Sequence, residues 1–366
     1  MFARSQEPQR EAAVPGRFGQ GSSGSWLKRE EAIMGTAICV ELWSEERAAG
    51  EAAIAAVIDE MHRIDREMSP HKPNSELSRI NRDAGAGAVP VRAEMARLIV
   101  RAAEFSELSR INRDAGAGAV PVRAEMARLI VRAAEFSELS GGAFDITYAA
   151  VGHLYDYRQG IRPSEEALAE ARAAVGWRHL VLDTQAGTVR FARPGMRIDL
   201  GGFAKGHAVD NAVAILRRRG IGHAMVSAGG DSRVIGDRRG RPWSIGVRDP
   251  RNPNRIVAML PLEDVSISTS GDYERFFEAD GVRFHHLIDP GTGKSPSGIQ
   301  SVTILADDGL TSEALSKIVF VLGVTRGMAL VESQQGVDAV VVDAAGALHF
   351  SSGLLAAPRS GQSPSQ

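Results

Sequence analysis

The chain has 366 residues, of which 43% are hydrophobic and 24% are charged, as is ordinary for a globular protein. Its formal net charge of −2 offers no basic surface, so we expect no nucleic-acid partner. A single cysteine, Cys39, excludes a disulfide and a multi-cysteine metal site within one chain. No uninterrupted run approaches the roughly 18 apolar residues of a membrane span, so the sequence predicts no transmembrane segment.

Both ends of the chain differ in composition from the rest. Residues 1–27 and 356–366 are rich in Gly, Ser, Gln and Pro, and we expect them to be disordered tails around one domain at 28–355. The first tail contains no apolar run that could form the core of a signal peptide, which predicts a cytoplasmic protein. A wrongly assigned start would leave a periplasmic or membrane-attached location open.

The sequence repeats one segment without a change. Residues 75–105 recur residue for residue as 106–136, and Ser137–Ser140 begins a third copy. Two copies are too few for a solenoid, which needs about three or more. Each copy carries an amphipathic helix, so we expect the surplus copy to be an extruded, exposed helix. The sequence alone does not say which copy is surplus.

Hydrophobic periodicity predicts the following elements in chain order. They are a strand at 33–42, a helix after Ser44 that ends before Pro70, a helix from Ser164 to Gly176, a hairpin of 179–182 with 188–191, a helix at 205–218, strands at 223–227, 243–247 and 265–269, a strand at 302–305, a helix at 312–322 and a strand at 339–342. Strands clustered between separated helices indicate an α+β fold.

A glycine-rich turn, Asp199–Gly206, lies between a predicted strand and a predicted helix. Backbone amides and a helix N-terminus in this geometry can hold phosphate, although a tight turn that needs glycine looks the same. The Gly-x-Gly-x-x-Gly pattern of a dinucleotide-binding fold is missing. Gly291–Ser295 does not complete a P-loop, because Ile288 stands where that pattern needs glycine.

Three further segments carry polar groups or glycine after predicted strands. Ala228–Asp231 could let a ligand approach the backbone, and Ser268–Tyr273 supplies hydroxyls and a carboxylate. His285 and His286 are neighbours, and successive side chains of a strand face opposite ways, so only one of them can enter a site. That histidine is either structural or a proton acceptor or ligand.

Seven segments resemble the FAD:protein FMN transferases of the ApbE type, both in their residues and in their order along the chain. They are Met34–Thr36, the Ser-Glu-Leu-Ser-Arg-Ile-Asn word at 75–81, Gly142–Thr147, Asp199–Gly206, Ala228–Asp231, Ser270–Tyr273 and His286–Gly293. The resemblance implies a bilobal α+β fold with mixed or antiparallel sheets flanked by helices, and FAD bound between the lobes. It also implies transfer of FMN, assisted by Mg²⁺, to a Thr or Ser of a partner flavoprotein of the electron-transfer type, with release of AMP.

The resemblance further implies roles for individual residues. His286, as the base beside the acceptor hydroxyl, and Asp272 would be catalytic. The flavin or its phosphates would be bound by Met34, Asp145, Lys205, Gly230, Asp231, Ser270 and Asp272. The carbonyl of Ala204 and the carboxylate of Glu313 would bind the metal.

The resemblance is weaker at the positions that bind the metal, because the family usually has Asp and Thr where this chain has Glu313 and Lys317. A protonated lysine cannot bind Mg²⁺, and Mg²⁺ tolerates distorted geometry poorly. A Glu and a Lys four residues apart can also simply stabilise a helix, by about 0.2–0.5 kcal/mol. Two alternatives to transfer therefore stay open: Mg²⁺-dependent hydrolysis of FAD to FMN and AMP, and non-catalytic FAD binding with a degenerate metal site.

Overall fold

The computed structural model describes residues 24–68 and 107–355. The longer helices are α1 (Arg47–Met68), α2 (Glu107–Asp114), α3 (Ala124–Leu139), α5 (Glu165–Arg172), α6 (Ala204–Arg218) and α7 (Gly309–Glu332), and the short ones are α4 (Ala149–Gly152) and α8 (Ser352–Leu355). The strands are β1 (Ser25–Ile33), β2 (Thr36–Ser44), β3 (Val120–Pro121), β4 (Leu180–Asp183), β5 (Thr188–Phe191), β6 (Ala224–Ala228), β7 (Asp231–Ile235), β8 (Trp243–Arg248), β9 (Ile256–Leu262), β10 (Ser266–Gly271), β11 (Phe276–Ala279), β12 (Val282–His285), β13 (Ile299–Ala306), β14 (Asp338–Asp343) and β15 (Leu348–Phe350).

One large sheet organises the molecule. Its eight strands run in the order β1-β2-β6-β7-β10-β13-β14-β15, and every pair is antiparallel. Smaller antiparallel sheets are β3-β5-β4, β8-β9 and β11-β12. Helices α1, α6 and α7 pack on the large sheet and share its hydrophobic core. The α+β fold predicted from the sequence is therefore confirmed, with antiparallel pairing throughout the described strands.

The first predicted strand, at 33–42, is wrong in its bounds. The chain instead forms a hairpin of β1 and β2, with Met34 and Gly35 in the turn at φ values of 55° and 71°. Apolar residues on both sides of this turn hide it from a periodicity argument, because a turn without Pro or Asn lacks the usual signal. Since β1 begins at Ser25, the folded chain starts slightly before the boundary predicted at residue 28.

Most other predicted elements are confirmed. The hairpin of β4 and β5, helix α6 and the strands at 223–227, 243–247, 265–269, 302–305 and 339–342 all lie within a few residues of their predicted positions. Ser164 caps α5 by accepting a hydrogen bond from the backbone N–H of Ala167 at 3.2 Å. Helix α7 is longer than predicted, and it contains a non-helical residue, Gly323, at a φ of 79°.

Helix α7 is the one described helix that is long and apolar enough to cross a membrane by length and composition. A core helix passes the same test. The first half of α7 is buried against β10 and β13, and Phe320 within it is only 1% exposed. Its apolar composition follows from this position, because a helix enclosed on several sides needs few polar residues.

The second copy of the duplicated segment fills the core. It forms α2 and most of α3, and its apolar residues Leu108, Ile111, Met126, Leu129 and Phe136 are all buried in the main cluster. Residues 75–105, the first copy, lie outside the described residues, as do residues 1–23 and 356–366. The predictions of an extruded helix and of disordered tails therefore stay predictions.

We predict that Phe136→Ala lowers the free energy of unfolding by about 3 kcal/mol or more, because it leaves a cavity beside Phe144 and the cation of Arg132. Urea unfolding followed by circular dichroism measures this loss. The matched control is Phe105→Ala, the identical change in the first copy, which we expect to cost less. Equal losses from the two substitutions would contradict the assignment of this core position to the second copy.

Candidate functional site

Several predicted segments meet at one end of the large sheet. The β1–β2 turn lies beside the β6–β7 turn, where the N–H of Gly229 donates to the carbonyl of Ala37 at 3.0 Å. The next strand, β10, ends at the same edge with Gly271, which pairs with Ser301 near the start of β13. Antiparallel strands bring these turns together because every second strand ends at the same edge. Residues far apart in the chain thus surround one polar region.

A cluster of four charged side chains lies behind these turns, which we call the charge cluster: Lys205, Asp231, Glu313 and Lys317. The ammonium of Lys205 forms ion pairs with Asp231 and with Glu313 Oε1, the latter at 2.6 Å. Lys317 Nζ lies 3.3 Å from the same Oε1. Glu313 is completely buried and Asp231 nearly so, which requires that both carboxylates be paired.

Burial and pairing act against each other in this cluster. Burial alone would raise the pKa of Asp231, but the Lys205 and Lys317 ammonium groups hold that pKa below its usual range. For Lys205, burial is outweighed by Asp231 and Glu313, so its pKa is raised. For Lys317 burial dominates, and the pKa lies below its usual range despite the nearby Glu313 and Asp231. The two lysines therefore differ in how strongly the protein compensates their charge.

Three serine hydroxyls extend the charge cluster towards the sheet. Ser268 donates to Asp231, and Ser316 shares a hydrogen bond of 2.7 Å with Ser270, which was predicted to bind the flavin. Ser316 and Ser268 were not predicted as site residues. A signal for both exists: Ser268 lies two positions before Ser270 on one strand face, and Ser316 lies one helical turn after Glu313.

The two neighbouring histidines separate as the strand alternation predicts. His285 turns into the core, where its ring packs edge-on against Phe320 and its Nε2 bonds the carbonyl of Pro296 at 3.0 Å. The imidazole of His286 makes no hydrogen bond within residues 24–68 and 107–355, and its Nδ1 is enclosed. Burial, with the cations of Arg275 and Lys317, lowers the pKa of His286 to about 3. This imidazole is therefore neutral and available as a proton acceptor.

Asp272 and Asp145 lie apart from the charge cluster. Both oxygens of Asp272 bind the guanidinium of Arg251, at 2.7 and 2.6 Å, and Arg283 lies 3.5 Å away. Asp145 accepts hydrogen bonds from the backbone N–H groups of Thr147 and Trp177, at 2.8 and 2.9 Å. These contacts assign each carboxylate a structural partner, and their predicted roles towards the flavin stay predictions.

The remaining predicted residues are backbone positions at the same edge. Gly230 occupies the β6–β7 turn, where an added Cβ would lie 2.7 Å from the carbonyl oxygen of Thr269. Ala204 is the first residue of α6. Near the Met34 turn, an added Cβ at Gly35 would lie 3.7 Å from the guanidinium of Arg275, a residue that sequence reasoning missed. Gly230 is needed because its turn approaches β10 closely, and Gly35 is favoured because its φ of 71° lies in the left-handed region.

The residues present do not fit a Mg²⁺ ion at Glu313. Its Oε2 accepts the N–H of Gly206 at 2.7 Å, and its Oε1 faces the two ammonium groups of Lys205 and Lys317. Mg²⁺ requires about six oxygen ligands in near-octahedral geometry. In the described part of the chain, no three His, Cys, Asp or Glu side chains are grouped so that they could hold a metal.

These observations define a class: an α+β protein whose polar site, with two ammonium groups and a neutral imidazole, lies at one end of an antiparallel sheet. Comparisons identify the family within that class. The ApbE family model matches residues 34–109 and 101–341. The chain is 35% identical to the FAD:protein FMN transferase of Treponema pallidum, over 88% of each protein. It is also 35% identical to that of Vibrio cholerae, over 82% and 83%. The chain belongs to the ApbE family.

Solved structures agree with this assignment. The ApbE protein of Thermotoga maritima superimposes with a TM-score of 0.77 at 31% identity, over 90% of this chain and 98% of that one. The flavin transferase ApbE of Vibrio cholerae superimposes with a TM-score of 0.72 at 26% identity, over the same shares. The ApbE-type fold predicted from the order of the seven segments is confirmed.

We predict that Gly206→Ala lowers the free energy of unfolding by about 2 kcal/mol or more, because the added Cβ would lie 2.1 Å from the carbonyl oxygen of Gly309. Helices α6 and α7 would have to separate. The matched control is Gly222→Ala, whose Cβ meets nothing within 4 Å, and which should change stability by less than about 0.5 kcal/mol. Equal stabilities of the two variants in thermal unfolding would show that this crossing is not tight.

Proposed function

We propose that the protein transfers FMN from FAD to a Thr or Ser hydroxyl of a partner flavoprotein and releases AMP. One observation carries the proposal: the charge cluster and the unpaired His286 lie at the same edge of the sheet. The chain that holds them is a member of the ApbE family. The curated relatives at 35% identity carry the name FAD:protein FMN transferase. The acceptor's identity as an electron-transfer flavoprotein is the finer part of the proposal.

The reaction requires a nucleophile, a proton acceptor and positive charge at the pyrophosphate. The acceptor hydroxyl oxygen attacks the phosphorus on the FMN side, and the bond from that phosphorus to the bridging oxygen breaks. The hydroxyl proton passes to the imidazole of His286, and AMP leaves with the bridging oxygen. Lys205 and Lys317 stand where their charge would stabilise the anion that develops.

Mg²⁺ assistance stays a prediction from the family resemblance. Because the contacts of Glu313 and Lys317 do not fit the ion, the steps above use only side chains of this chain. A decayed site would favour the alternative of a non-catalytic FAD-binding protein. The unpaired imidazole of His286 supports the transferase instead, because a strongly perturbed titratable group is typical of an active site.

We predict that AMP release from FAD depends on an acceptor domain that carries a Thr or Ser target. Incubation of the purified protein with FAD and the acceptor, with and without Mg²⁺, is followed by chromatography of AMP and by covalent flavin fluorescence of the denatured acceptor. An acceptor with Ala at the target position is the matched control and should stay unlabelled. AMP without any acceptor would indicate hydrolysis, and bound FAD without AMP would indicate a non-catalytic protein.

We also predict that kcat/KM for transfer stays flat between about pH 7 and about pH 5, since kcat/KM reports the groups of the free enzyme. The reason is that burial lowers the pKa of His286 to about 3, so the imidazole remains neutral over this range and can accept a proton. Protonation, and loss of the rate, is expected only near that lower pKa. A decline centred near the ordinary histidine value of 6.5 would contradict the assignment.

A further inference from the structure

Both oxygens of the Glu313 carboxylate already have hydrogen-bond partners that compete with a metal. The N–H of Gly206 occupies Oε2 at 2.7 Å, and Lys205 at 2.6 Å and Lys317 at 3.3 Å occupy Oε1. The residue is completely buried, so water cannot replace any of these partners. A divalent cation placed on Oε1 would stand a few ångströms from two ammonium groups, and the repulsion is large in an enclosed site.

Lys317 keeps the capacity to bind an anion. An ammonium has three N–H donors, and the one hydrogen bond that Lys317 makes within the described chain is the bond to Glu313. Its side chain is 17% exposed. Lys205 differs, because two carboxylates already compensate its charge.

The surroundings of Lys317 favour an anionic ligand. Burial, the cation of Arg275 and the cation of Lys317 together lower the pKa of His286, so this imidazole is neutral. The hydroxyl of Ser316, next in the chain, bonds Ser270 at the end of β10. A cation, a hydroxyl pair and a neutral imidazole together match a phosphate group that is about to be attacked.

We propose that Lys317 supplies the positive charge at the pyrophosphate of FAD that a metal would otherwise supply, so that this protein binds FAD without Mg²⁺. The proposal rests on the proposed function for the identity of the ligand. A lysine ammonium is a compact charge that binds phosphate oxygens one at a time, whereas Mg²⁺ bridges several. The chain would thus have exchanged a diffusible ion for a side chain fixed on α7.

The test is a titration of the full-length protein with FAD, followed by flavin fluorescence, in EDTA and in millimolar Mg²⁺. The parent protein is expected to show the same Kd in both. Lys317→Met, which keeps the length and removes the charge, should weaken binding about tenfold in both, as expected for loss of one charge-assisted hydrogen bond. Lys28→Met removes an exposed lysine paired with Glu30 on β1 and should leave the Kd unchanged.

A second variant tests the exchange directly. Lys317→Thr removes one of the two ammonium groups from Glu313 Oε1 and supplies a hydroxyl oxygen, while Lys205 keeps Asp231 as a partner, so Mg²⁺ should tighten FAD binding by this variant although it has no effect on the parent. Lys317→Arg, which keeps the charge, should retain metal-independent binding if the cation is what matters. Circular dichroism of each variant separates loss of binding from loss of folding.

The outcomes distinguish the two proposals. Binding by the parent only in the presence of Mg²⁺, or a folded Lys317→Met variant with unchanged Kd, would overturn this inference and leave the transferase function standing. The same holds if Lys317→Thr binds FAD equally in EDTA and in Mg²⁺. Absence of FAD binding by the parent under both conditions would overturn the proposed function, and this inference with it.

Discussion

The crossing of α6 and α7 is the contact on which the site depends. Gly206 and Gly309 meet there backbone to backbone, because neither has a side chain to hold the helices apart. The close approach lets the carboxylate of Glu313 reach the N–H of Gly206 and the ammonium of Lys205. A wider crossing would leave Lys317, on the same helix, as the one ion-pair partner of the buried Glu313 carboxylate within the described chain, and the loss of Lys205 and the Gly206 N–H would destabilise it.

Charge neutrality within the cluster explains how these groups can be buried. Two ammonium groups face two carboxylates, the hydroxyl of Ser268 bonds the second oxygen of Asp231, and the N–H of Gly206 bonds the second oxygen of Glu313. The charges of this cluster cancel without a ligand. The N–H donors of Lys317 that make no hydrogen bond in the described chain are the groups that a ligand could use. A bound pyrophosphate would make the site net negative. The cation of Arg275, which acts on His286 and lies near the turn of Met34 and Gly35, would offset part of that negative charge.

Sequence reasoning predicted most of the secondary structure and part of the charge cluster, and the roles of these residues towards the flavin stay predictions. Four predicted residues from four separate segments of the chain do come together: Lys205, Asp231, Ser270 and Glu313. They do so because the order of the polar and glycine segments reflects the family's fold. Ser316 was missed although it lies one helical turn after Glu313, on the same helix face. The partners of Asp272 and Asp145 could not be predicted, because Arg251 and Trp177 reach them only through loop geometry. Strands β9, β11 and β12 were among those missed, because β11 and β12 have only four residues, too few for alternation to be distinctive, and β9 contains Pro261.

The pairing of β2 with β6 explains why the chain can carry a repeated segment at all. Cys39 lies opposite Ser227, so the sheet closes a very long loop of chain whenever it forms. The entropy lost on closing a loop grows only with the logarithm of its length, and even a doubling costs about 0.6 kcal/mol. The extra residues between α1 and α2 add a small fraction to that loop. Extra residues in so long a loop therefore add little to the entropy lost when the sheet forms.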